Sequence, residues 1–270
     1  MTVDISKDYA ALSKKAAIKT ARYINANPDT LICLAAGNTP LGMLHELVAM
    51  HDRGEVDLTT VWYAGLDEWT GFGPDDEGSC VKIMYDAIYK HIPADRVKMF
   101  DGLDRNNERQ CREMENWIVS HGGIGFTLLG IGMNGHIGFN EPGTPDTEGC
   151  IIVELDDVTK SVSKKYFGRE RPVTTGVTIG LRTLLNAREV VLMASGEEKA
   201  SIVKASLHGN CVFDAPSDAS DDGEVSIPSG VPSETPIATP AEISSDVPAS
   251  LFRNHDNITV MLDEKAASLL

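Results

Sequence analysis

Two rhythms of apolar spacing alternate along this chain. In residues 7–26, Ala11, Leu12, Ala16, Ala17, Tyr23 and Ile24 fall on one face of a helix. T-L-I-C-L-A-A (30–36) then runs apolar without a break and stops at Gly37. Helical spacing returns from 39 to about 53, and a second apolar run follows at 61–66. The spacing predicts further helices over 79–91, 104–121 and 197–208, and strands over 126–131, 189–194 and 258–262, with a last helix from Asp263. Strands that are apolar at every position are buried on both faces, and helices between them make the crossovers that parallel pairing needs. The expected fold is α/β: a mainly parallel sheet with helices on both faces.

One stretch breaks the rhythm. Residues 214–248 hold six prolines, seven serines, eight acids and no Lys, Arg or His, which is half of the chain's net charge of −16. Such a composition buries too little apolar surface to offset its ordering entropy. It reads as an acidic Pro/Ser-rich insertion at the surface of one domain spanning 1–270, with a lid or an oligomer contact as the functional alternative. The charge, from 24 Lys+Arg against 40 Asp+Glu, disfavours nucleic acid as a partner. No apolar run is long enough to span a membrane, and the polar N-terminus has no apolar core of a secretory signal. Cys33, Cys80, Cys111, Cys150 and Cys211 are odd in number and widely spaced, so reduced thiols in a cytoplasmic protein are expected rather than a disulfide framework or a zinc site.

Ligands of open α/β sheets bind beyond the carboxyl ends of the strands, and three segments fall there. In L-A-A-G-N-T-P (34–40) a strand meets Gly37 and Asn38 before a helix opens at Thr39 or Pro40. The free N–H groups of such a first turn make an anion seat, although a capped helix without a ligand reads the same way. In G-L-D-E-W (65–69), Asp67 and Glu68 follow a buried strand, a place for a general base or simply for two surface acids. The third segment is L-L-G-I-G-M-N-G-H-I-G-F-N-E-P-G (128–143). Gly130, Gly132 and Gly135 match G-x-G-x-x-G, but Gly138, Pro142 and Gly143 deny the helix that a dinucleotide site requires. The glycines surround Asn134, His136, Asn140 and Glu141 instead, a set suited to proton transfer. Cations for an anionic ligand are on offer at Lys199 and in the cluster Lys164, Lys165, Arg169 and Arg171.

Together, L-D-E-W (66–69), G-H-I-G-F-N-E-P-G (135–143) and L-N-A-R-E-V (185–190) resemble the hexosamine-6-phosphate deaminase/isomerase family, within the larger group that includes 6-phosphogluconolactonase. The likeness covers residues about 10–213 and resumes near V-P-A-S-L-F-R-N-H (247–255). L-D-E-W, N-G-H and R-P-V-T-x-G-x-T-x-G-L (171–181) are most similar to the galactosamine-6-phosphate isomerase branch. The resemblance implies one Rossmann-like domain and a reaction. A hexosamine 6-phosphate, galactosamine 6-phosphate in preference to glucosamine 6-phosphate, is ring-opened, a proton moves from C2 to C1, and the amine leaves as ammonia to give a ketose 6-phosphate. It implies Asp67 as the base at C2, His136 for ring opening with Glu141 orienting it, and Gly37, Asn38, Thr39 and Lys199 as the phosphate seat. No metal or organic cofactor is implied. The implied partner is a small sugar phosphate, not nucleic acid or membrane, and a homo-oligomer stays open.

Three departures from the glucosamine branch bear on function. Asn134 stands where an Asp is usual, so Glu141 becomes the anionic partner of His136, and Asn134 joins the catalytic set. The branch's phosphate-binding Arg is replaced by Lys165 or served by Arg171. Its basic residues for an activating amino sugar phosphate fall near 151–153, here Ile151, Ile152 and Val153, so no such activation is expected. Two other readings remain: a 6-phosphogluconolactonase-like hydrolase, and a non-catalytic sugar-phosphate-binding regulator, which Asn134 keeps in play.

Overall fold

The segment T-L-I-C-L-A-A shows why this sequence makes a covered sheet. In the computed structural model, which describes residues 1–164, 166–167, 172–207, 212–213 and 245–270, its strand has two apolar faces and each finds its own core. Leu31 and Cys33 pack with Met114 and Ile118 on one side. Ile32 and Leu34 pack with Leu12, Ala16, Leu44 and Leu47 on the other. Alternate side chains of a strand point to opposite faces, so an unbroken apolar run needs a helix layer on each.

In chain order the strands are β1 (Thr2–Ser6), β2 (Leu31–Leu34), β3 (Trp62–Gly65), β4 (Asp67–Trp69), β5 (Val97–Lys98), β6 (Ile124–Gly130), β7 (Cys150–Glu154), β8 (Thr175–Ile179), β9 (Glu189–Ala194), β10 (Val212–Phe213) and β11 (Ile258–Asp263). The α-helices are α1 (Tyr9–Ala26), α2 (Asn38–Asp52), α3 (Cys80–Ala87), α4 (Asn107–Ser120), α5 (Asp157–Ser163), α6 (Leu181–Leu185) and α7 (Ala200–Leu207). Eight strands form one sheet in the order β10-β1-β11-β9-β6-β2-β3-β5, with every neighbouring pair parallel. The chain leaves β2 toward β3 in one direction and leaves β6 toward β9 in the other. The strand order therefore reverses between β2 and β6, the crevice where such sheets bind ligands. A second, antiparallel sheet, β4-β8-β7, sits beside these ends.

The α/β expectation holds, with corrections at the margins. The strand β1 was not foreseen, yet it lies inside the sheet between β10 and β11. The small sheet was not foreseen either, because its strands are short and lie in a stretch rich in loop residues. The helix expected from Asp263 does not form. Its carboxylate instead takes the Ser195 hydroxyl at 2.5 Å, the Gly196 N–H at 3.1 Å and the Ala266 N–H at 2.8 Å. Residues 264–269 beyond it are turns. Cys111 and Cys150 are paired in a disulfide, Cα atoms 5.2 Å apart, which corrects the expectation of reduced thiols for these two. They lie 39 residues apart, and only the packing of α4 on β7 brings them together. Cys33 and Cys80 are free and buried. Most of the acidic insertion, 214–244, lies outside the described residues, as does Cys211. The segment that follows is tied to the loop after β6: Gly143 N–H donates to the Ser245 carbonyl at 2.8 Å, and Ala249 N–H to the Gly135 carbonyl at 2.9 Å.

Candidate active site

Four adjacent strands, β9, β6, β2 and β3, end on the same side of the sheet, and each leads into a segment that the sequence singled out. Gly37, Asn38 and Thr39 follow β2, Asp67 follows β3, His136 follows β6, and Lys199 follows β9. All of them line one cavity. The structure thus brings together six of the ten residues proposed from sequence. Asn134 and Glu141 stand against His136. Lys165 and Arg171 lie outside the described residues, so the choice between them stays where the sequence left it.

The segment expected to seat an anion is the opening of α2. Gly37 caps the helix and its first turn carries no acid, so the positive end of the helix dipole is unopposed there. Tyr9 braces the seat from α1: its hydroxyl donates to the Asn38 carbonyl at 2.8 Å and accepts the Gly42 N–H at 2.8 Å. The Asn38 N–H meets the Tyr166 hydroxyl. Lys199 brings a cation to the cavity and donates to the Ile131 carbonyl at 2.6 Å.

The loop after β6 holds the imidazole by a relay. Asn134 Nδ2 donates to Glu141 Oε2 at 2.9 Å, which turns Asn134 Oδ1 to His136 Nδ1 at 2.6 Å. A carboxylate can only accept, so this chain fixes the amide's orientation and places the imidazole proton on Nδ1. The Thr159 hydroxyl lies 3.1 Å from the same nitrogen, and Glu141 Oε2 lies 3.5 Å from it. Burial raises the Glu141 carboxyl, but His136, Thr159 and Asn134 outweigh it and hold the group below its ordinary range. Glu141 is thus an anion that reaches the ring both directly and through the Asn134 amide. Glycine is required at two positions by close approach. A Cβ on Gly132 would lie 2.4 Å from the His136 ring, and one on Gly138, whose φ is +58°, would lie 2.8 Å from Thr178 Oγ1. Asn140 serves structure instead: buried, it donates to the Ile137 and Ile179 carbonyls at 2.8 and 2.9 Å and pins the loop to β8.

Asp67 and Glu68 are neighbours with opposite duties. Asp67 lines the cavity and is 8% exposed; burial pushes its carboxyl up to about 6, against the opposing pull of Cys80 and His136. Glu68 is fully buried and accepts three backbone N–H groups: Trp69 at 2.8 Å, Cys80 at 3.0 Å and Val81 at 2.8 Å. Burial raises it to about 7 despite these donors. It joins β4 to the start of α3, which is a structural task. Among the described residues no group of three His, Cys, Asp or Glu side chains is placed to hold a metal ion.

A buried carboxylate, an oriented imidazole and the opening of a helix share one cavity at the strand-order reversal of a parallel sheet, an arrangement suited to acid–base chemistry on a small anionic molecule. The chain belongs to the glucosamine-6-phosphate isomerase/6-phosphogluconolactonase family, whose sequence profile matches residues 6–227. It is 33% identical over 273 residues to a glucosamine-6-phosphate deaminase of a Thermoanaerobacter species, covering 100% of this chain and 95% of the relative. A Clostridium perfringens glucosamine-6-phosphate deaminase is 32% identical, with 100% of both chains covered. A solved monomeric glucosamine-6-phosphate deaminase superposes with a TM-score of 0.85 at 32% identity, again over 100% of both chains. The 6-phosphogluconolactonase of Trypanosoma brucei shares the fold, with a TM-score of 0.70 at 19% identity over 100% of this chain and 98% of that one.

Sequence reasoning missed Tyr9, Thr159, Tyr166 and Cys80. Tyr9 acts across 29 residues and Thr159 across 23, and neither sits in a spacing that signals a site. Cys80 carried one usable signal, its place at the opening of a helix soon after L-D-E-W.

Proposed function

We propose that this chain is an amino-sugar-6-phosphate deaminase that converts a hexosamine 6-phosphate and water to a ketose 6-phosphate and ammonia, with glucosamine 6-phosphate as its substrate. The observation that carries this reading is the sharing of one cavity by Asp67, His136 and the α2 seat. The phosphate lies on the N–H groups of 37–39 and on Lys199, which sets the sugar's reacting end toward Asp67 and His136. With its proton on Nδ1, His136 offers Nε2 to the hydroxyl at C1, takes that proton and returns it to the ring oxygen as the C1–O5 bond breaks. Asp67 then removes the proton at C2 and delivers it to C1. With a second proton passing from the amine to O1, the resulting ketimine adds water at C2 and expels ammonia. A carboxyl whose pKa is raised by burial is a stronger base than an exposed one and is still mostly ionised at neutral pH.

The relatives are named for the glucosamine substrate, so glucosamine 6-phosphate replaces galactosamine 6-phosphate, the substrate that the likeness to the galactosamine branch implied. An ammonia-release assay on both epimers, run beside 6-phosphogluconolactone hydrolysis, tests the reading. Release from glucosamine 6-phosphate is expected. Lactone hydrolysis without ammonia, or binding without turnover, would overturn it. The apolar Ile151, Ile152 and Val153 on β7 lead to a second expectation: velocity curves that N-acetylglucosamine 6-phosphate leaves unchanged. A sigmoidal curve made hyperbolic by that compound would contradict it. We also carry forward one domain over 1–270 and a cytoplasmic setting. Among the described residues no helix is long and apolar enough to cross a membrane. The Cys111–Cys150 bond is the feature at odds with a reducing compartment, and a thiol count on protein extracted without reductant decides the matter.

A further inference from the structure

The helix α5 is fastened at two points to the loop that carries the imidazole. The Asp156 N–H, at the N-cap of α5, donates to Glu141 Oε1 at 3.3 Å. Three residues on, Thr159 is buried, lines the cavity, and sets its hydroxyl 3.1 Å from His136 Nδ1. That nitrogen therefore faces three oxygens: Asn134 Oδ1 at 2.6 Å, Thr159 Oγ1 at 3.1 Å and Glu141 Oε2 at 3.5 Å. Asn134 can present only an acceptor there, because its Nδ2 donates to Glu141. The proton between them thus belongs to the ring, and the Thr159 hydroxyl meets it as a second acceptor.

We propose that Thr159 is a positioning residue of the imidazole: its hydroxyl oxygen shares the Nδ1 proton with Asn134 and fixes the plane of the ring, so that Nε2 faces the cavity. The proposal rests on the reading of His136 as the group that opens the sugar ring, and Thr159 acts through His136. One acceptor holds a proton at a distance but lets the ring turn about that contact. A second acceptor, supplied by a different element, defines the plane. The backbone beneath is already set: the His136 N–H donates to Asn134 Oδ1 at 3.2 Å, and the His136 carbonyl accepts the Gly132 N–H at 2.9 Å. Rotation of the ring is the freedom left for Thr159 to remove, and small misplacements of a reacting group are costly in rate. The demand grows during the reaction. When Nε2 takes the proton of the C1 hydroxyl, the ring becomes an imidazolium, and hydrogen bonds from a charged donor are roughly twice as strong as neutral ones. The contact is therefore stronger as the sugar opens than in the resting enzyme, and its loss falls on kcat.

The test compares Thr159→Val, which keeps the shape and removes the hydroxyl, with Thr159→Ser, which keeps the hydroxyl and removes a methyl group. In ammonia release from glucosamine 6-phosphate, Thr159→Val is expected to lower kcat about 3- to 10-fold with KM changed less than about twofold. Thr159→Ser should restore most of kcat. A packing role has the opposite order, since Ser leaves a hole in a buried site and Val fills it. Parent-like turnover in Thr159→Val, or a Ser variant no better than Val, would overturn the proposal. A second readout needs no turnover. Nitrogen NMR of histidine-labelled protein, with the His136 signals assigned by their loss in His136→Gln, should show the neutral ring protonated on Nδ1. That proton should move upfield and exchange faster with water in Thr159→Val, and return toward its parent position in Thr159→Ser. A parent ring protonated on Nε2, or an Nδ1 proton that Thr159→Val leaves unmoved, sinks the proposal even if both threonine variants lose activity. The two readings fail separately: full turnover in His136→Gln removes the ring-opening role itself, whereas an inactive His136→Gln beside a parent-like Thr159→Val removes only the role of Thr159.

Discussion

A carboxylate that takes a proton from carbon works only while it is ionised, and burial makes that state costly. In the proposed reaction Asp67 carries this tension, with its pKa moved from 3.8 to about 6 chiefly by burial. The sign for activity follows directly: kcat/KM should fall as pH drops through about 6, read from initial rates across that range. The sign for stability is opposite. The folded chain holds this proton more tightly than the unfolded one, so the contribution of Asp67 to stability rises as pH falls from about 6 toward 3.8. Above that window the ionised group costs up to about 3 kcal/mol, a shift of roughly two pH units converted at ~1.4 kcal/mol each. Asp67→Asn is therefore expected to cut turnover by about 10²–10⁴-fold or more. The same change should raise the unfolding free energy above neutrality by about 1–3 kcal/mol. Ammonia release and denaturant melts on one preparation check both halves, and an inactive variant that is also less stable would contradict the account of burial.

Among elements, the small antiparallel sheet does the joining. β4 carries Asp67, β8 lies in its middle, and β7 is tied to α4 by the Cys111–Cys150 bond. A cross-link closing a loop of 39 residues restricts the unfolded chain, and Cys150→Ser should lower stability by about 2–4 kcal/mol. Melts of that variant and of the reduced parent should agree; a parent that reductant leaves unchanged would show that the bond does not form in solution. This sheet also marks where sequence reading ran out. The long parallel strands were legible because burial on both faces makes them apolar at every position, as at T-L-I-C-L-A-A. The strand β7 was passed over although C-I-I-V is itself an apolar run, because it is short and no helical spacing flanks it as it flanks the parallel strands; in the fold it is an edge strand with Ile152 41% exposed. His136, Asn134 and Glu141 were legible because they crowd into one glycine-rich segment. Tyr9 and Thr159 were not, since a residue that reaches a site from another element leaves no local trace.

At the scale of the molecule, the cavity exists because four strands end together. Their order in the sheet is not their order in the chain, and no spacing along the sequence displays it. The sheet also takes in both extremes of the chain. Thr2–Ser6 pairs with Thr259–Asp263 on one side, and Thr2 and Val3 pair with Val212 and Phe213 on the other. Val3 is completely buried. Removing residues 2–6 would strip an interior strand, forfeiting its ladder and its apolar burial, about 4–6 kcal/mol in all. Such a protein should melt well below the parent by circular dichroism, and an unshifted melt would place the strand outside the stable core.

That arrangement sets a timetable for biosynthesis. Residues 2–6, once made, must wait for the strand that receives them along their full length until residues 259–263 have followed them from the ribosome. A chain cut short before residue 258 has lost that partner. Quality control, rather than residual catalysis, then decides the fate of such a fragment.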